Sequence, residues 1–185
     1  MNQQLCATLD AFVDKYMAWH QAQEIALCTD WDPDWPSSCK QSEPNGEGVI
    51  HWQPVRNTNT LDFSSTEQAL GITFHPDLKT FYSRYWSEGL NASTDRGRLQ
   101  LLQLWNEQDF ERLLQNLVGH VLMKRRLKQP ITVFIAVTDN EDYVISLDND
   151  SGQVVLERVG LPAQEVLADN LSAFIDSLNV EATLD

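Results

Sequence analysis

Residues 101–137 read LLQLWNEQDFERLLQNLVGHVLMKRRLKQPITVFIAV, and this stretch decides the fold. Asn106 suits a helix N-cap, because its side-chain oxygen can accept from the free amides of a first turn. Glu107 and Asp109 then place negative charge at the positive end of the helix dipole. Phe110, Leu113, Leu114, Leu117, Val118, Val121 and Leu122 recur at three- and four-residue spacing, a stripe that faces a core. Lys124, Arg125, Arg126 and Lys128 follow at the carboxyl end, where cations complement the dipole, and Pro130 stops the run. Residues 131–137 are too few for another helix and rich in β-branched side chains, so they read as a buried strand. Residues 99–105 read as a strand before the helix. The nucleus is strand, helix, strand.

Toward the C-terminus, 139–142 and 149–152 are turns that separate strands at 143–147 and 154–157, which makes the sheet at least partly antiparallel. Val166, Leu167, Leu171, Phe174, Ile175 and Leu178 mark a final amphipathic helix. Toward the N-terminus, Leu5, Leu9, Phe12, Val13, Tyr16 and Met17 give a helix over residues 3–20. From Glu24 to Glu47 no period persists, and Pro33, Pro36, Pro44, Gly46 and Gly48 punctuate a long loop. Such loops are often functional. A short strand at 49–54 carries His51 and Trp52, and a polar connector spans 56–61. A short helix at 65–70 closes on Gly71, and Pro76 opens a helix bearing Leu78, Phe81, Tyr82, Tyr85 and Trp86. Residues 89–97 read as a turn or loop. The expectation is one α+β domain over residues 1–185, a mixed, largely antiparallel sheet flanked by amphipathic helices.

A chain of 185 residues can bury roughly 70% of its unfolded surface without a metal or disulfide. Three cysteines without Cys-x-x-Cys spacing favour a reducing cytosol. No apolar run reaches the roughly 20 residues that span a bilayer, and the N-terminus lacks the pattern of a signal peptide. The net charge of −14 is uneven: residues 1–50 carry eight acids and two bases, and residues 151–185 carry six acids and one base. Such a surface disfavours nucleic acid and suits a basic partner, or serves solubility alone.

Motifs of chemistry are weak. His20 and Glu24 lie one helical turn apart without the further ligands of a metal site, and 148–152 only echoes a calcium loop. There is no phosphate loop or nucleophile elbow, and no cofactor is expected. Lys124, Arg125, Arg126 and Lys128 could meet anionic lipid, although their place at a helix end already accounts for them. Trp19, Trp31, Trp35 and Trp52 interleave with Glu24, Asp30, Asp32, Asp34, Glu43 and Glu47. Tryptophans beside acids suit a basic chain through cation–π contacts and ion pairs, and they equally serve to pin a long loop.

The runs Leu101-Leu102-Gln103-x-Trp105, Asp109-Phe110, Asn116-Leu117-x-Gly119-His120, Arg126-Leu127-Lys128-x-Pro130 and Phe134-Ile135-Ala136 closely resemble the Syd family of bacterial SecY-interacting proteins. Trp19-His20, Pro36-Ser37-x-Cys39, Trp52-Gln53-Pro54, Thr80-Phe81-Tyr82 and Ser151-Gly152 extend the match over nearly the whole chain. Glu67-x-x-Leu70-Gly71-Ile72-x-x-x-Pro76-x-Leu78-x-x-Phe81-Tyr82 is similar to the looser signature of the SUKH superfamily. The resemblance implies a non-enzymatic, cytoplasmic protein that docks peripherally on the cytoplasmic side of the inner membrane. Its partner is then SecY of the SecYEG channel, whose basic cytoplasmic loops enter an acidic concave groove, and the family's part includes monitoring channel assembly. The expected partner-binding residues are Trp19, His20, Glu24, Asp30, Asp32, Asp34, Glu43 and Trp52, on a monomer. The alternatives are an immunity-type SUKH protein that occludes a basic toxin, and a hydrolase using loop acids with His20 or His51.

Overall fold

The computed structural model describes residues 2–184. Helix α1 (Gln3–Ala22) starts at Asn2, whose side-chain oxygen accepts from the amides of Gln4 and Leu5, and buries Leu5, Leu9, Phe12, Val13, Tyr16 and His20. The ribbon β1 (Cys28–Asp30) and β2 (Val49–His51) follows, then β3 (Val55–Arg56), α2 (Ser64–Leu70), α3 (Pro76–Arg84) and β4 (Tyr85–Trp86). Next come β5 (Leu90–Thr94), β6 (Gly97–Leu101), α4 (Glu107–Arg126), β7 (Thr132–Thr138), β8 (Tyr143–Asp148), β9 (Val154–Arg158), β10 (Ala163–Ala168), α5 (Leu171–Asp176) and β11 (Asn179–Val180).

Seven strands form the main sheet in the order β10-β9-β8-β7-β6-β5-β11. Every ladder among the described residues is antiparallel. The parallel contact is the isolated bridge of Trp86 to Leu104. One face packs against α4, where the His120 ring stands edge-on to Phe134 at 5.4 Å. On the other face Phe174 of α5 shares a cavity wall with Leu99, Ile145, Leu156 and Leu167. α1 packs on α5 and on α3, so helices lie on both faces of the sheet.

The nucleus read from residues 101–137 is present, with Asn106 Oδ1 accepting from Asp109 N at the start of α4. Gly71 closes α2 at φ 62, in the left-handed region that glycine adopts freely. Residues 148–152 make the β8–β9 turn, where Asp148 Oδ1 accepts from the Ser151 amide and hydroxyl.

Four expectations are corrected. The helix expected to carry Tyr85 and Trp86 ends at Arg84, and those two residues form β4 against β3. The turn expected at 89–97 contains β5, whose buried Leu90 and Ala92 alternate with Asn91 and Ser93. Its small and polar residues hide a period of two, and it is paired on both sides, by β6 and by the distant β11. The helix expected over 166–178 divides, because Val166 and Leu167 lie on β10 while Asn170 caps a short α5. The loop from Glu24 to Glu47 contains β1, which finds its partner only across the loop in β2.

Candidate partner-binding surface

α1 delivers Trp19 and His20 to one end of the molecule, and the backbone turns away at Glu24 with φ 55. The β1–β2 ribbon then sets Asp30 opposite Val49, and the Trp31 amide donates to Gly48 O at 2.7 Å. Asp32 Oδ1 accepts from Asp34 N at 2.9 Å, a local turn that orders the two acids. The loop is then fastened to the start of α4. Trp105 Nε1 donates to Trp35 O at 3.1 Å, Asn106 Nδ2 to Pro36 O at 2.9 Å, and the Ser37 hydroxyl to Trp105 O at 2.6 Å.

The tryptophans Trp31 and Trp35 already hold cations of this chain. Lys40 Nζ lies 4.3 Å from the Trp31 ring centroid, and the Arg112 guanidinium 5.0 Å from that of Trp35. Trp19 stands edge-on to His20 at 5.0 Å. The rings therefore pin the loop, which accounts for their place in it.

The acids behave differently. Glu24, Asp30, Asp32, Asp34, Glu43 and Glu47 are all exposed. Among the described residues only Glu43 has an ion pair, with Lys40 at 3.0 Å. Five acids elsewhere are matched: Asp10 by Arg56 and Arg84, Glu67 by Lys79, Asp142 by Arg158, Glu157 by Lys124 and Glu165 by Arg96. Burial opposes the ionised form of Asp10. Hydrogen bonds from Arg84 and Tyr85 and the charges of Arg84 and Arg56 outweigh it, and hold this carboxyl below its ordinary range.

His20 and Trp52 are not on the outer surface. Both line a cavity of about 250 Å³ at the end of α1, with Tyr16, Cys28, Thr29, Glu88, Asn91 and Gln100 in its wall. His20 is 4% exposed, and neither ring nitrogen has a hydrogen-bond partner among the described residues. Burial pushes its pKa below the ordinary value, with the Ile25 backbone opposing in part. Glu88 was not singled out by the sequence reading. Burial raises its carboxyl pKa, the Thr29 hydroxyl at 3.0 Å lowers it, and the charge of Asp109 raises it. Nothing periodic marks a glutamate between Ser87 and Gly89, so the sequence carried no signal for it. The site thus has two parts, an outer field of unpaired acids and an inner cavity.

The basic cluster at the end of α4 also divides. Lys124 is sealed beneath the helix, where Nζ donates to Glu157 and the hydroxyls of Thr132 and Ser146 donate to the same carboxylate. Arg125 donates to Leu70 O at 2.6 Å, and Arg126 and Lys128 are exposed. A signal for Lys124 existed, because it continues the buried stripe of Leu113, Leu117 and Val121.

The family model described as Syd protein (SUKH-2) matches residues 6–179. The chain belongs to the Syd family. Among its relatives, Protein Syd of Pseudoalteromonas atlantica is 46% identical over 178 residues, covering 95% of this chain and 96% of the relative. Protein Syd of Alteromonas mediterranea is 37% identical over 175 residues, covering 95% and 96%, and that of Tolumonas auensis 41% over 178 residues, covering 96% and 90%. Among the described residues of this Syd protein, no helix is long and apolar enough to cross a membrane.

Proposed function

We propose that this Syd protein binds basic cytoplasmic loops of SecY in the SecYEG channel, as a peripheral monomer on the cytoplasmic side of the inner membrane, and so monitors channel assembly. The observation that carries the reading is the set of exposed acids at Glu24, Asp30, Asp32, Asp34 and Glu47 without ion pairs among the described residues. Membrane proteins keep lysine and arginine on their cytoplasmic loops, so an acidic face meets complementary charge there. The loop carrying these acids is already held against α4 by three hydrogen bonds, which reduces the ordering cost of docking. Membership of the Syd family supports the partner.

The test is binding to purified SecYEG in lipid discs across a salt titration. Saturable binding that weakens steeply as salt rises is expected, since exposed charges act through a screened field. A folded protein that does not bind at low salt overturns the assignment.

A further inference from the structure

The cavity at the end of α1 holds one charged group among its described residues, the Glu88 carboxyl. Three of its donors are committed: Asn91 Nδ2 to Ala182 O at 3.0 Å, Gln100 Nε2 to Asn91 Oδ1 at 2.9 Å, and the Thr29 hydroxyl to Glu88 Oε1. Several acceptors are left over. Glu88 Oε2 and Gln100 Oε1 have no hydrogen bond among the described residues, and a neutral His20 ring offers one acceptor nitrogen. Among the described residues, no lysine or arginine lines the wall. A half-buried carboxylate with a single hydrogen bond leaves a charge to be compensated, and a cation with several donors completes it. A guanidinium fits better than an ammonium, because its planar fork of five donors can satisfy separated acceptors at once, and Tyr16 and Trp52 supply aromatic walls. The exposed Ile25 and Cys28 mark the mouth of the cavity. Thr29 of β1 is in the wall and Asp30, the next residue, belongs to the outer acid field.

We infer that this cavity is an anchor pocket for one arginine side chain of the basic segment that the acidic surface receives, an inference that rests on the proposed function. A chain lying along the β1 acids drops that arginine between His20, Glu88 and Gln100. The outer acids then give rate and salt dependence, and the pocket gives register.

The experiment titrates the full-length protein with N-acetyl-arginine methylamide, with its citrulline and lysine counterparts, and with spermidine. It is followed by NMR of carboxyl-labelled glutamate. Arginine is expected to shift the Glu88 resonance saturably and to lower its raised pKa, while neutral citrulline binds about tenfold more weakly or worse. Glu88→Gln is expected to weaken both the arginine compound and SecYEG by about tenfold or more. Gly89→Ala is a second variant that keeps every charge, since its Cβ would lie 2.4 Å from Gln100 Cδ and displace that side chain from the wall. It is expected to weaken arginine in the same direction.

No response of Glu88 to arginine, with salt-dependent SecYEG binding intact, overturns the pocket and leaves the outer surface standing. Arginine binding without SecYEG binding overturns the anchoring role together with the partner. Tighter binding of spermidine than of the arginine compound also overturns it, and reassigns the pocket to a free polyamine.

Discussion

Beneath α4 one lysine and one glutamate are closed off together, each side chain 2% exposed, with two hydroxyls completing the carboxylate. Around the β1–β2 ribbon six acids stand in water with, among the described residues, a single ion pair. The residue types are the same and the treatment is opposite. In the interior an uncompensated charge is destabilising by several kcal/mol, so partners are built in from α4, β7, β8 and β9. On the surface, water compensates each acid, so the fold does not require partners and the charges sum into a field that reaches outward. The first region specifies packing. The second is available to another molecule.

The largest expected effect breaks the interior half of this contrast. Lys124→Met leaves Glu157 buried without its cation and should lower unfolding stability by about 3–5 kcal/mol, read by urea denaturation. Adding Glu157→Gln should recover most of that loss, because the charge is gone while the amide oxygen still accepts from the Thr132 and Ser146 hydroxyls. A single variant as stable as the parent would show that water reaches the pair, and the distinction between the regions would fall.

Reversal of Asp30 and Glu43 to lysine acts on the exterior half. SecYEG affinity should drop by about tenfold or more, with stability within about 0.5 kcal/mol of the parent. Unchanged binding by the folded variant removes these acids from the site.

Acidification sharpens the boundary between the two regions. Burial lowers the pKa of His20 below its ordinary 6.5, and burial likewise lowers that of His120. Above 6.5 both states hold neutral imidazole and the histidines contribute no pH dependence. As pH falls below 6.5, the unfolded chain takes protons that the folded protein refuses, so stability declines toward the folded pKa values. Glu88, raised above its ordinary 4.5, acts with the opposite sign at lower pH. His20→Gln should flatten the decline of thermal midpoint with falling pH, whereas reversing the outer acids should leave this histidine part unchanged. An unaltered slope in His20→Gln places that imidazole in contact with solvent.

The smallest effect concerns how the acid loop is held. Arg112→Ala uncovers the Trp35 ring and should change stability by less than about 1 kcal/mol, while amide exchange quickens near Trp35. Exchange that stays slow would assign the pinning wholly to the hydrogen bonds of Trp105, Asn106 and Ser37.

α4 and β7 were legible because each carries a long periodic pattern with its own stop signal: Asn106 at the start, Pro130 at the end and β-branched residues after it. The outer acids were legible as charge, and surface charge needs no partner to exist. Lys124 was read with its basic neighbours although its spacing put it on the buried stripe, because one-dimensional charge runs do not reveal which member turns inward. β1 and β5 were hidden because each carries little apolar signal and pairs with a distant strand, β2 across the loop and β11 near the C-terminus, whereas β10 was hidden because its Val166 and Leu167 fall in helical spacing with Leu171, Phe174 and Ile175.

By itself, then, the sequence determined the α4–β7 nucleus, the α+β class, the family motifs and the uneven charge, all local properties of composition and period. Tertiary structure alone decided that Glu157 meets Lys124, that Lys40 and Arg112 cover the loop tryptophans, and that His20, Trp52 and Glu88 enclose one cavity. Apart from Lys40 and Trp31, which share one loop, these are meetings of residues tens of positions apart, set by strand register and helix packing. No local pattern encodes them, because the groups that meet share no neighbourhood until the chain has folded.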